Sequence, residues 1–279
     1  MKQKIIYKHY LILILILLYV NTYCQNSESL QDTTSQVPTF KQDISSFYRT
    51  GIKIISAPFH FDGKDWIITG SVLSVTALTY LIDEDSRSFW QRNQNSTLDN
   101  ISKVGKAYGE ISYAAILSGS IYLCGKLFNS RDVSVTGRML LEGLFYTGLT
   151  TTIIKTMTGR SRPYTNDGYN YFNFFQTETA YTSFPSGHVT VAFTLSSILS
   201  SRINNTYASI GLYALAASTV MQRMYSDNHW LSDTVLAASI GYFIGEAVVK
   251  FDNDSVNNNI TVMPYFIPNG VGASFSYSL

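Results

Sequence analysis

"PSGHVTVAFTLSSILSS", residues 185–201, is the stretch on which the reading of this chain turns. A proline, a serine and a glycine stand ahead of His188, and an apolar run starts at Val189. That order reads as a helix start, where backbone N–H groups without intrahelical partners and the positive end of the dipole favour an anion. Ser186 and Gly187 thereby become candidates for holding a phosphate.

Two other stretches fit the same chemistry. Upstream, "KTMTGRSRP" (155–163) carries Lys155 and Arg162 beside Pro163; downstream, "QRMYSDNHWLSD" (222–233) carries Arg223, His229 and Asp233. The chain has only four histidines, and two of them fall in these stretches. A phosphate monoester needs its oxygens held and its charge neutralised as the transition state forms, which Lys155, Arg162 and Arg223 supply. Asp233 lies four residues after His229 and would share its helix face. A carboxylate bonded to one ring nitrogen fixes the tautomer and frees the other nitrogen to attack phosphorus. His188 is then the residue to protonate the leaving alkoxide and afterwards to activate water. Each motif alone has a blander explanation, since Arg-Pro and Ser-Gly-His are common and a His–Asp pair at this spacing is often a helix-surface hydrogen bond. Their joint order carries the reading.

These residues resemble the type 2 phosphatidic acid phosphatase superfamily, which also includes bacterial class A acid phosphatases and vanadium haloperoxidases. Its first motif, Lys, six residues, Arg-Pro, runs from Lys155 to Pro163, and its second, "PSGH", from Pro185 to His188. Its third, Ser-Arg, five residues, His, three residues, Asp, is matched from Arg223 to Asp233, with Gln222 in place of the serine. The resemblance implies phosphate ligands at Lys155, Arg162, Ser186, Gly187 and Arg223, a general acid at His188, a nucleophile at His229 and an orienting carboxylate at Asp233. Gln222 puts only a supporting contact beside Arg223 in question.

Apolar stretches recur at Trp66–Ile82, Ile111–Phe128, Met139–Ile154, Val189–Ser201, Tyr207–Met221 and Asp233–Val249, separated by breaks such as "NSRD" (129–132) and "SRINN" (201–205). Their length and sparse charge predict an all-α fold with a six-helix core bundle. In an antiparallel bundle the three motifs would meet at one end. Several runs are short for a membrane span or carry a charge, as at Lys126, Glu142 and Glu246, which favours a periplasmic or peripherally membrane-associated bundle over a spanning one. A cleaved leader points the same way, because three crossings from an exported N-terminus would bring Lys155 and Arg162 to the cytoplasmic side. Helices rich in Ser, Thr and Gly are nevertheless also how membrane bundles pack.

With 279 residues, 46% hydrophobic and 14% charged, the chain suits one domain with ample core. A net charge of +1 carries no nucleic-acid signature. Residues 1–24, "MKQKIIYKHYLILILILLYVNTYC", read as a secretory signal peptide, with lysines at 2, 4 and 8 ahead of an apolar run. Residues 25–47 read as a flexible lead-in, 48–251 as the helical phosphatase domain and 252–279 as a tail. In that tail Val271, Ala273, Phe275, Tyr277 and Leu279 alternate with small residues after the turn signal Pro268-Asn269-Gly270, predicting a short C-terminal β-hairpin. With Cys24 removed, Cys124 is the lone thiol, read as a buried apolar residue. His60 reads as a loop hydrogen-bonder. The aromatic segment 169–184, with Phe174 and Phe175, lies between the first two motifs and is expected to wall the substrate entrance.

The function expected from the resemblance is a phosphatase of the cell envelope acting through phosphohistidine, needing no metal or other cofactor. Its substrate would be a phosphorylated lipid, an isoprenoid phosphate or a small phosphomonoester, with membrane association and no nucleic-acid partner. Vanadium-dependent haloperoxidase and a non-catalytic envelope scaffold are the alternatives.

Overall fold

Breaks in the apolar pattern become capping residues, and the runs between them become helices. The computed structural model describes residues 36–257, 260–267 and 270–277; the expected signal peptide, 1–24, lies outside the described residues. Among these residues there are nine α-helices: α1 (Phe40–Ser56), α2 (Gly63–Tyr80), α3 (Asp83–Arg92), α4 (Ser96–Tyr108), α5 (Ile111–Leu127), α6 (Arg131–Thr158), α7 (Gly187–Ile203), α8 (Thr206–Tyr225) and α9 (Leu231–Asn257). The six apolar stretches form the bodies of α2, α5, α6, α7, α8 and α9. At "SRINN", Asn204 ends α7 in the left-handed region and the Asn205 side chain caps α8 by accepting from the Ala208 N–H.

Three helices go beyond the six expected. The charged segment "DEDSRSFWQR" and the half-polar segment "STLDNISKVGKAY" form α3 and α4, which a search for long apolar runs passes over. The lead-in expected to run to residue 47 is helical from Phe40, where Thr39 and Gln42 form a capping box.

Helix α7 is the centre of the bundle, packed against α6, α8 and α9. Val191, Leu195 and Ile198 of α7 meet Met139, Leu140 and Leu144 of α6 and Val248 of α9 in the buried core. Hydroxyls line the same seam and are satisfied between helices: Thr194 Oγ1 bonds Thr147 Oγ1 at 3.3 Å, and Tyr108 Oη bonds Ser196 Oγ at 2.8 Å. Helix α6 stops at Gly159, whose φ of +58° is left-handed and whose added Cβ would lie 1.5 Å from Asn173 O. Only glycine fits there.

The charges that interrupt the apolar runs turn inward. Lys126 Nζ pairs with Asp43 Oδ2 at 2.6 Å, Arg138 Nη1 lies 3.6 Å from Glu142 Oε1, and Glu246 Oε1 accepts from Ser197 and Ser201, each at 2.8 Å. Helix α1 shows the consequence most plainly. Its buried face carries Asp43, Ser46 and Thr50, while Phe40, Ile44, Tyr48, Ile52 and Ile55 are exposed. The apolar exterior continues on α2, α5 and α6 through Ile67, Leu73, Leu78, Ile116, Leu123, Phe145 and Ile153. Among the described residues one helix, Leu231–Asp252, is long and apolar enough to cross a membrane, or two if the bent pair α2–α3 counts as one span.

Cys124 is half-buried and free, and His60 Nδ1 lies 2.9 Å from Ser56 O. Past α9, the backbones of β1 (Ile260–Ile267) and β2 (Gly270–Tyr277) pair antiparallel, with Ile260 opposite Tyr277.

Candidate active site

Because α6 to α9 run alternately up and down, the C-terminal ends of α6 and α8 and the N-terminal ends of α7 and α9 share one end of the bundle. These four ends carry Lys155, Arg223, the Ser186–Gly187–His188 turn and the His229–Asp233 pair.

His229 sits in the turn before α9, its backbone N–H donating to Arg223 O at 3.2 Å. Its Nδ1 lies 3.4 Å from both Asp233 Oδ2 and Ser183 Oγ. Asp233 occupies the first turn of α9 and accepts on both oxygens. Oδ2 takes the Trp230 N–H at 2.9 Å and the Ser183 hydroxyl at 2.5 Å, and Oδ1 takes Arg160 Nη1 at 2.7 Å. Burial pushes the carboxyl up, but Arg160 and the bonds from His229 and Ser183 outweigh it and hold Asp233 at about 2. An ionised Asp233 assigns the proton to Nδ1 of His229 and leaves the lone pair on Nε2.

Three cations crowd this histidine. Lys155 Nζ, in the last turn of α6, donates to the carbonyls of Thr182 and Ser183. Arg162 Nε donates to Thr179 O at 2.7 Å, and Arg223 Nη1 to Gln222 Oε1 at 3.3 Å. Burial, with Arg162 and Arg223 close by, drives the Lys155 ammonium down to about 7; burial and Arg162 drive Arg223 down to about 10. His229 is held well below its ordinary value by burial and by the same three cations. Arg223 Nε and Ser186 Oγ are buried with no hydrogen-bond partner in the protein. A Cβ placed on Gly187 would meet only Lys155 Cε, at 3.8 Å, so packing does not demand a glycine there. Like charges held close together, beside buried donors that have no partner, are the requirements of a bound anion.

His188 opens α7 with Nε2 3.4 Å from Glu110 Oε2, the residue just before α5. Burial and Arg223 press its imidazolium down to about 4, with Glu110 opposing them. Gln222, the departure from the family motif, supplies the contact to Arg223 that the missing serine left in question. Among the described residues, no group of three or more His, Cys, Asp or Glu is placed to hold a metal ion.

Sequence reasoning missed several participants. Arg160 stands in plain view inside "KTMTGRSRP", and a second arginine two residues from Arg162 was the available signal. Asp83, Glu110 and Ser183 carry no signal of their own, because only the packing of α3, α5 and the 159–186 connection brings them here. In that connection the carbonyls of Thr179, Thr182 and Ser183 hold the cations, and Phe174 and Phe175 are exposed.

The PAP2 superfamily model matches residues 137–256, which contain every motif residue named above. This segment belongs to the PAP2 superfamily. A lipid A 1-phosphatase of Porphyromonas gingivalis is 26% identical to the chain over 181 residues, covering 63% of this chain and 36% of that protein. The chain therefore spans little more than a third of that relative's length. Among solved structures, Aquifex aeolicus LpxE aligns with a TM-score of 0.48 and 18% identity over 61% of this chain and 95% of its own. A PAP2 type phosphatidylglycerolphosphate phosphatase from Bacillus subtilis aligns with a TM-score of 0.49 and 18% identity over 77% of this chain and 98% of its own. The PAP2 segment holds all eight sequence-derived site residues, whereas Asp83 and Glu110 lie outside it.

Proposed function

We propose that this chain is a lipid phosphatase of the cell envelope that cleaves phosphate esters or anhydrides through a phosphohistidine at His229. The observation that carries the reading is the crowding of Lys155, Arg162 and Arg223 about His229, with Arg223 Nε and Ser186 Oγ buried and unpaired. A phosphoryl group placed there satisfies those donors and relieves the mutual repulsion of the cations.

In the first step His229 Nε2 bonds phosphorus as the bond to the leaving oxygen breaks, and protonated His188 delivers its proton to that oxygen. In the second, His188 takes a proton from water, the water oxygen bonds phosphorus, the N–P bond breaks and inorganic phosphate leaves. Asp233 keeps the proton on Nδ1 throughout, which stabilises the imidazolium character that develops as Nε2 attacks.

A lipid substrate is favoured by the protein's exterior. Helix α1 buries Asp43, Ser46 and Thr50 while it turns Phe40, Ile44, Tyr48, Ile52 and Ile55 outward, which is not how a helix in water distributes its residues. A surface of this kind suits contact with a bilayer, and the named activity of the Porphyromonas relative is on lipid A. The N-terminal reading as an export signal fits an envelope location. The exposed Phe174 and Phe175 are suited to contact a lipid tail at the entrance.

Phosphate release by the purified chain in EDTA, from lipid A, phosphatidic acid, undecaprenyl diphosphate and p-nitrophenyl phosphate, tests this. Expected are release that His229→Ala abolishes, an acid-labile phosphoryl adduct on the wild type, and a selective loss of lipid substrates in Phe174→Ala/Phe175→Ala. No release from any of the four would overturn the reading.

A further inference from the structure

We propose that Asp83 and Arg160 are positioning residues that clamp Asp233 in the one orientation that serves His229. The inference rests on the phosphatase reading for its kinetic consequences, but its geometry stands apart from it.

Arg160 is fully buried, and every one of its N–H groups has a partner. Nε donates to Tyr169 O at 3.0 Å; Nη1 donates to Ser232 Oγ at 2.8 Å and Asp233 Oδ1 at 2.7 Å; Nη2 donates to Asp83 Oδ2 at 2.7 Å and Tyr169 O at 2.8 Å. Its guanidinium is enclosed by aromatic rings, with Tyr80 at 4.9 Å, Trp230 at 5.5 Å and Phe172 at 5.7 Å. A planar fork with all donors engaged and its faces covered has no other rotamer to visit.

Asp83 locks the far side. Its Oδ1 accepts the Ser232 N–H at 2.9 Å, and its Oδ2 accepts the Ser232 hydroxyl at 2.6 Å as well as Arg160. The first turn of α9 is thus held at two points: Ser232 by Asp83, and Asp233 by Arg160. Two carboxylates and an arginine, all buried, are a poor device for stability alone, because packed apolar groups of the same volume do as well. They do fix direction. With Oδ1 committed to Arg160, Oδ2 is the oxygen left to face His229 Nδ1. Asp83 comes from α3, outside the PAP2-matched segment, so the site is completed from beyond it.

The experiment uses the full chain with Arg160→Met, Asp83→Asn, Asp233→Asn and the Arg160→Met/Asp233→Asn double variant. Turnover of p-nitrophenyl phosphate and the histidine ¹⁵N spectrum are both read. Arg160→Met is expected to lower kcat by about 100-fold with KM little changed, and Asp83→Asn by less in the same direction, as for a misplaced catalytic group. In the Asp233→Asn background, removing Arg160 is expected to cost nothing further, because its effect passes through Asp233. The spectrum should show His229 protonated on Nδ1 in the wild type and as mixed tautomers in Arg160→Met and Asp83→Asn. Multiplying losses in the double variant, or an unchanged tautomer in folded Asp83→Asn, would overturn the clamp. A wild type that releases no phosphate yet shows this tautomer pattern would sink the phosphatase reading and uphold the clamp.

Discussion

Replacing Asp233 by Asn changes one atom, and the contacts around it dictate the result. The amide must present an oxygen on one side and an NH₂ on the other. Arg160 Nη1, 2.7 Å from Oδ1, is a permanent donor and takes the oxygen. The NH₂ then faces the Trp230 N–H, the Ser183 hydroxyl and His229 Nδ1. Facing a donor, Nδ1 becomes the acceptor, and the proton moves to Nε2, where a nucleophile needs its lone pair. A hydrogen bond to a charged group is worth about 1.5–3 kcal/mol, and the analogous change in a serine-protease triad lowers turnover about 10⁴-fold through the wrong tautomer. A loss of roughly 10³–10⁴-fold in kcat is therefore expected, with KM nearly unchanged because the phosphate ligands are untouched. Stability should fall by about 3 kcal/mol, the low end for breaking a buried pair, because Asp83 still faces Arg160. Initial rates on p-nitrophenyl phosphate beside a thermal melt measure both. An Asp233→Asn enzyme that keeps a tenth of wild-type kcat would refute the tautomer argument.

Three further expectations follow from the site. Gly187→Ala should leave the melting temperature unchanged, since its Cβ meets only Lys155 Cε, but raise KM by roughly 10-fold by displacing about one charge-assisted hydrogen bond to the phosphate; a lowered melting temperature with normal KM would show a packing role instead. His188 must be protonated to act as acid, so kcat/KM should fall as pH rises; Glu110 raises its pKa, and Glu110→Gln should move that falling limb to lower pH in a side-by-side profile on one substrate. Lys155, pressed down to about 7, loses its charge above that value, so inhibition by inorganic phosphate should weaken between pH 6 and 9, and Lys155→Arg should flatten the dependence; equal inhibition across the range in the wild type would contradict it.

How far the sequence reaches is decided by how local each cause is. The bodies of α2 and α5 to α9 are legible because apolar runs and their Asn, Ser and Gly breaks act within a few residues. Lys155, Arg162, His188, Arg223, His229 and Asp233 are legible because chemistry fixes residue type and a helix end fixes spacing. Helix α1 is not, since Asp43, Ser46 and Thr50 are buried while Phe40, Ile44, Tyr48, Ile52 and Ile55 are exposed, against the pattern that marks a helix in water. The charges at Lys126, Glu142 and Glu246 interrupt apolar runs when counted along the chain, whereas in the fold each faces a partner inside.

The sequence by itself determined a helical bundle, the motif residues and their family. Only the tertiary structure decided what holds them: Asp83 bonds Ser232 across 149 residues, Arg160 reaches Asp233 across 73, and Glu110 from α5 reaches His188 on α7. A hydrogen bond or ion pair depends on distance in space, and no periodicity along the chain records which remote side chains the packing brings into contact.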